Sequence, residues 1–218
     1  MTAKTTTPVA TKVPKRRVVK QQRSKDSQVK LLAAANELFA EKGYQRTKIT
    51  DIIQRSGCSI GSFYHQFTDK HGIFEVLFQQ YLDAANSNID NMHFDPSTTP
   101  QLGDVLQIVS QQALHFLKQH LGARMAAEEL VYQGESTLKD QAYHLTDRYI
   151  ANMNKLIPLY QLQIGSPHPE QAMASALQMM ATMITSQTMR PTPHLPQGDD
   201  ALVAVLVQGA CGILEVRP

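Results

Sequence analysis

The chain has 218 residues, 42% hydrophobic and 18% charged, with 11 glycines, 11 prolines, two cysteines and no tryptophan. That is enough to bury a sizeable core in one or two units, and it excludes collagen-like, disordered and disulfide-framework chains. A formal net charge of +2 hides an uneven layout, because residues 1–72 hold 14 Lys and Arg against 5 Asp and Glu while residues 73–218 hold 7 against 14. Such a basic front and acidic rear suit a chain whose front approaches a polyanion.

In residues 1–23 seven basic side chains, Lys4, Lys12, Lys15, Arg16, Arg17, Lys20 and Arg23, face no acid, and apolar residues follow no period. This predicts a flexible basic arm. From Ser24, Leu31, Leu32, Ala35, Leu38 and Phe39 fall on one stripe of a helix that Gly43 ends. Thr47 opens a short second helix carrying Ile49, Ile52 and Ile53, and Gly57 supplies a bend. Ser59 is placed to cap a third helix in which Phe63 and Phe67, four apart, point inward together. Asp69 caps a fourth, whose apolar face of Phe74, Leu77, Phe78, Tyr81 and Leu82 continues to about Met92.

After an aperiodic stretch with Pro96 and Pro100, helices are expected over 101–119, 121–133, 136–163, 169–189 and 199–215. Pro158 should kink the third of these at about 3 kcal/mol. No strand alternation is evident. The expected fold is all-α with about nine helices. It comprises an arm at 1–23, a three-helix helix-turn-helix unit at 24–70 and a helical bundle at 71–218 for ligand binding and dimerisation.

Several chemistries are excluded. Cys58 and Cys211 show no paired spacing, and the eight histidines include no HExxH, so no metal site or cofactor is expected. No phosphate-binding glycine loop or paired carboxylates with a base occur, so no catalytic residues are assigned and the chain is not read as an enzyme. The apolar run 201–214 is broken by Gln208 and falls short of the ~20 residues of a bilayer span. With no apolar stretch behind the basic N-terminus, no membrane partner is expected and the protein is read as cytoplasmic.

The third helix has the chemistry of a DNA reader. With Phe63 and Phe67 buried, Ile60, Gly61, Ser62, Tyr64 and His65 point outward. A small N-terminal face fits a major groove about 12 Å wide, where Ile60 meets a thymine methyl and Ser62 a base edge or phosphate. Tyr64 and His65 offer donors to phosphate one turn on, while Thr47, Lys48 and Lys70 clamp the backbone on either side. The same residues leave blander alternatives open: Tyr64 as a half-buried core ring, His65 as a solvated residue, Lys48 and Lys70 as ordinary surface lysines.

The run Thr47-Lys-Ile-Thr-Asp-Ile-Ile-Gln-Arg-Ser-Gly57-Cys-Ser59-Ile-Gly61-Ser-Phe63-Tyr64-His-Gln-Phe67-Thr-Asp-Lys70 resembles the N-terminal signature of the TetR/AcrR family of bacterial transcriptional regulators. The resemblance covers residues 27–82 in motif and the remainder in helix count and order. Cys58 stands where Val is usual, and Ile60 where a basic or polar residue is common. The resemblance implies DNA contacts at Thr47, Lys48, Ser59, Ile60, Gly61, Ser62, Tyr64, His65 and Lys70. It also implies a homodimer formed through the last two helices, whose apolar residues, Met173, Met180 and Met183 included, exceed what one bundle needs. The alternative for this methionine stripe is monomer core.

Between the fourth helix and the last two, a pocket for a small-molecule effector is expected. Its candidate residues are Phe78, Phe116, Tyr132 and Tyr143, with Arg124, Glu128 and Arg148 as polar anchors. Leu114, Met125 and Met153 are further wall candidates, and His115 and Glu129 further polar anchors. The expected function is a nucleoid-associated, ligand-responsive transcriptional repressor on double-stranded DNA with a near-palindromic operator. The alternatives are an architectural or cell-division factor without effector, or a protein–protein adaptor.

Overall fold

The structure, a computed structural model, describes the backbone of residues 15–217 and the side chains of residues 22–217. Among the described residues it is built of nine helices and no strands: α1 (Lys15–Lys42), α2 (Ile49–Ser56), α3 (Ile60–Gln66), α4 (Lys70–Asp90), α5 (Leu102–Gln119), α6 (Leu121–Tyr132), α7 (Ser136–Asn154), α8 (Pro169–Met189) and α9 (Asp199–Leu214).

The short helices form because their ends are satisfied locally. Gly57 closes α2 with φ of 67°, a left-handed conformation that glycine adopts without steric cost. Ser59 Oγ accepts the Ser62 N–H at 3.1 Å at the start of α3, and Asp69 Oδ1 accepts the Gly72 N–H at 2.8 Å at the start of α4.

Two expectations change. α1 opens at Lys15, ahead of Ser24, because Lys15 to Arg23 contains neither Gly nor Pro and consists mostly of Lys, Arg and Gln, which are good helix formers. The rest of the expected flexible arm, residues 1–14, lies outside the described residues. α7 stops at Asn154 instead of running kinked to 163. The Pro158 ring would strike the carbonyl four residues back, which is that of Asn154. The chain therefore continues in tight turns, Leu156 N–H to Met153 O at 2.9 Å and Ile157 N–H to Asn154 O at 3.1 Å. Tyr160 is buried there and donates its hydroxyl to Thr99 O at 2.6 Å.

Two hydrophobic cores result. The front core joins α1, α2 and α3 to the first half of α4 and to Ala123, Ala126, Ala127 and Leu130 of α6. The rear core joins α5, α8 and α9 to the end of α7. α6 therefore crosses behind the front unit. Its approach to α1 requires glycine: a Cβ on Gly122 would lie 1.8 Å from Asn36 O. Asn36 also stitches the α5–α6 break to α1, donating to Gln119 O at 3.0 Å and accepting the Ala123 N–H at 3.0 Å.

Candidate nucleic-acid interface and effector cavity

α3 is anchored from behind and open in front. Phe63 and Phe67 are buried with ring centroids 5.7 Å apart, whereas Ile60 is 63% and Tyr64 56% exposed. Gly61 and His65 are also exposed, and a Cβ on Gly61 would meet nothing nearer than Ser59 Oγ at 3.9 Å. Ser62 is half-buried, its hydroxyl 2.9 Å from that of Ser59. The helix is fixed to α1 by Gln66, which donates to Ser24 O at 2.9 Å, and by Cys58, whose Sγ lies 3.8 Å from Ser27 O.

The residues flanking α3 divide. Lys48 is exposed at the cap of α2, its N–H held by Asp51 Oδ2 at 3.0 Å. Thr47 is not available as a clamp: it is 1% exposed, and its hydroxyl donates inward to Gly43 O at 2.7 Å. Lys70 is also taken up, donating to Tyr44 O at 2.8 Å with its ammonium 4.2 Å from the Tyr44 ring centroid. Burial pulls its pKa down, against an upward pull from Glu129. Both corrections have one cause: the turn between α1 and α2 exposes carbonyls that need donors, and these two side chains supply them.

Ion pairs at the surface link α2 to α1. Arg55 grips Glu41 with two bonds of 2.8 Å and reaches Glu37 at 3.1 Å. Asp51 accepts from Lys42 Nζ at 2.6 Å, and this bond, followed by the Lys48 N–H, holds its carboxyl below the usual carboxylate range.

A cavity of about 580 Å³ lies among α4, α5, α6, α7 and α8. Tyr81, Phe116, Arg124, Leu145, Tyr149, Leu177 and Ile184 are on its wall. A second cavity of about 470 Å³ shares Tyr81, Arg124 and Leu145 and adds Glu128. Phe116, Arg124 and Glu128 are thus brought together as expected residues of one region, as is His115. Four others are not. Phe78 is buried in an aromatic stack, 5.7 Å from Phe74 and 5.8 Å from Tyr81. Tyr132 and Tyr143 are 81% and 59% exposed. Arg148 turns outward to Asp90 and Asn86, being ~100° around the helix from Tyr149, which faces in. Of the further candidates, Leu114 and Met153 are rear core and Glu129 leaves the cavity for the α1–α2 turn.

Residues 31–77 match the profile described as bacterial regulatory proteins, tetR family. Over this region the chain is similar to the TetR family. It is 33% identical over 52 residues to the transcriptional repressor ComR of Escherichia coli, covering 24% of this chain and 25% of that protein. It is 37% identical over 67 residues to the transcriptional repressor KstR2 of Mycobacterium tuberculosis, covering 31% and 32%. The chain thus matches a quarter to a third of the length of these curated relatives.

The fold similarity extends further. A tetR-family regulatory protein from Rhodococcus RHA1 superposes with a TM-score of 0.63 at 15% identity, over 88% of this chain and 98% of that one. NalD, the secondary repressor of the MexAB-OprM multidrug efflux pump in Pseudomonas aeruginosa, gives 0.61 at 20% identity, over 90% and 98%.

Sequence reasoning missed Tyr81 and Tyr149 on the cavity wall and Asn36 at the junction of the two cores. The first two had a signal, since each lies on the apolar stripe of its helix. Asn36 had none, because its partners are 83 and 87 residues away.

Proposed function

We propose that the protein is a DNA-binding transcriptional repressor acting as a homodimer on a near-palindromic operator in the bacterial cytoplasm. A small molecule in the cavity releases it. The observation that carries this reading is the outer face of α3, where Ile60, Gly61, Tyr64 and His65 stand clear of the other described residues while Phe63 and Phe67 lock the helix from behind. Ile60 serves a thymine methyl, and Tyr64, His65 and Lys48 serve phosphates. Ser59 and Ser62 order the helix start that enters the groove.

Dimerisation through α8 and α9 is supported by the outer face of α9. Ala201, Ala204, Val205, Gln208 and Gly212 are exposed there at helical spacing, with only one polar side chain among them. A two-fold pairing would set two α3 helices on successive major grooves, about 34 Å apart.

Coupling is supported by α6. One end of this helix carries Gly122 and Ala123 against Asn36, its middle carries Arg124 and Glu128 at the cavities, and Glu129 holds the α1–α2 turn. A ligand that prefers one placement of α6 by ~1–3 kcal/mol changes operator occupancy about 5-fold to 150-fold. The test is to select bound fragments from the source genome and titrate the selected site against random duplex in salt. A ratio of ~10³ or more is expected, and equal affinities would sink the reading.

A further inference from the structure

The larger cavity has a charge asymmetry that specifies what it holds, an inference that rests on the effector reading above. Among the described residues, Arg124 is the one Lys, Arg, Asp or Glu on its wall. It enters none of the ion pairs among the described residues. Arg124 is half-buried, and a carboxylate placed before its guanidinium gains two parallel charge-assisted bonds.

Tyr81 and Tyr149 share the wall, and their phenols, which burial pushes above their ordinary pKa, offer donors. Phe116, Leu145 and Leu177 supply the apolar surface around these donors. Glu128 faces the adjoining smaller cavity, where Arg124 and Arg190 outnumber it, so the positive sign persists there.

We infer that the effector is a lipophilic carboxylate, its acid group seated on Arg124 and its apolar body lying among Phe116, Leu145 and Leu177. Lipophilic cations, which an acidic or aromatic-acidic wall would select, are rejected by this one.

The experiment uses the full chain and two matched probe series read by calorimetry and thermal shift: 2-naphthoate, 2-naphthamide and 2-naphthylmethylammonium, then decanoate, decanol and decylammonium. The carboxylate of each series is expected to bind about 10-fold or more tighter than its neutral partner, and the ammonium not measurably. Arg124→Gln should bring naphthoate down to the level of naphthamide, and an unchanged melting temperature of the ligand-free variant shows that the fold is kept. Arg124→Lys should keep the preference with a smaller ratio, since it retains the charge without the planar fork. A neutral or cationic member binding as well as the acid, or an acid preference that survives Arg124→Gln, overturns the charge assignment and leaves the effector cavity standing. Failure of every member of both series to bind overturns both.

Discussion

Glu129 accepts the Tyr44 backbone N–H at 3.2 Å, so a side chain of α6 caps the turn that joins α1 to α2. The same carboxylate accepts the Gln45 N–H at 3.0 Å, and Lys70 from α4 holds the carbonyl of Tyr44. The turn between α1 and α2 is thus completed by side chains of α4 and α6, two helices that also contribute to the cavity wall. Glu129→Ala strands two backbone donors and is expected to cost about 1–3 kcal/mol, read as a fall in the urea midpoint. Operator affinity should fall too, because the angle of α2 and hence α3 loses its brace; unchanged affinity in a folded Glu129→Ala protein would argue against α6 as the coupling element.

The α1–α6 crossing gives a second, sterically driven expectation. A methyl group on Gly122 meets the main chain of α1 at Asn36, which has no rotamer through which to yield. Gly122→Ala should destabilise by about 1–3 kcal/mol or more despite alanine's better helix propensity. Gly198→Ala, where a Cβ meets nothing within 4 Å, is the control and should leave the melting temperature within a few degrees.

What the sequence made legible was whatever depends on short spacing. Phe63 and Phe67 at i, i+4, the cap at Ser59 and the left-handed Gly57 are local, and helix count and order followed from them. Thr47 and Lys70 were misread because their alternatives depend on carbonyls of a turn whose shape arises only from packing. Arg148 and Tyr143 failed as pocket residues for a related reason: α7 stops at Asn154, and which of its faces turns to α4 is set by contacts with Ile89 and Asp90. The cavity draws its wall from five helices, so no single periodicity contains it.

The two aromatic neighbours Phe63 and Tyr64 should separate folding from binding. Phe63 is fully buried, and Phe63→Ala is expected to cost about 3–5 kcal/mol, enough to unfold the front unit at ordinary temperatures. Tyr64→Ala removes a ring that is mostly solvated and should leave the urea midpoint nearly unchanged while lowering operator affinity roughly 5-fold to 10-fold. A Tyr64→Ala protein that binds as well as the parent would remove the hydroxyl from the proposed interface.

His120 sits where α5 meets α6, its ring 4.7 Å from Phe116 and 6.0 Å from Tyr81. Burial lowers its pKa, so the unfolded chain binds its proton more readily than the folded one. The sign follows directly: stability is full above the unfolded value of about 6.5 and is lost as pH falls from there through the folded value. Urea midpoints measured from pH 7.5 to pH 5.5 should therefore drop, and His120→Gln should flatten the drop. Equal slopes for both proteins would mean that the ring is solvated in the folded state.

The basic N-terminal segment supplies the last expectation. α3 is tied to α1 at Ser24, so the chain preceding Ser24 departs from beside the proposed DNA face. Helical backbone from Lys15 carries Lys15, Arg16, Arg17 and Lys20 along that departure, with Lys4 and Lys12 beyond it in sequence and no acid among them. Cations held near a duplex act by displacing condensed counterions, which contributes about 0.9 to the salt slope for each phosphate neutralised. Deleting residues 1–20 should make the slope of log K against log salt shallower by about 2–4 and lower operator affinity at low salt. The loss should be nearly the same on random duplex, because phosphate contacts carry no base information. A slope identical to that of the full chain would confine DNA contact to α3 and the start of α2.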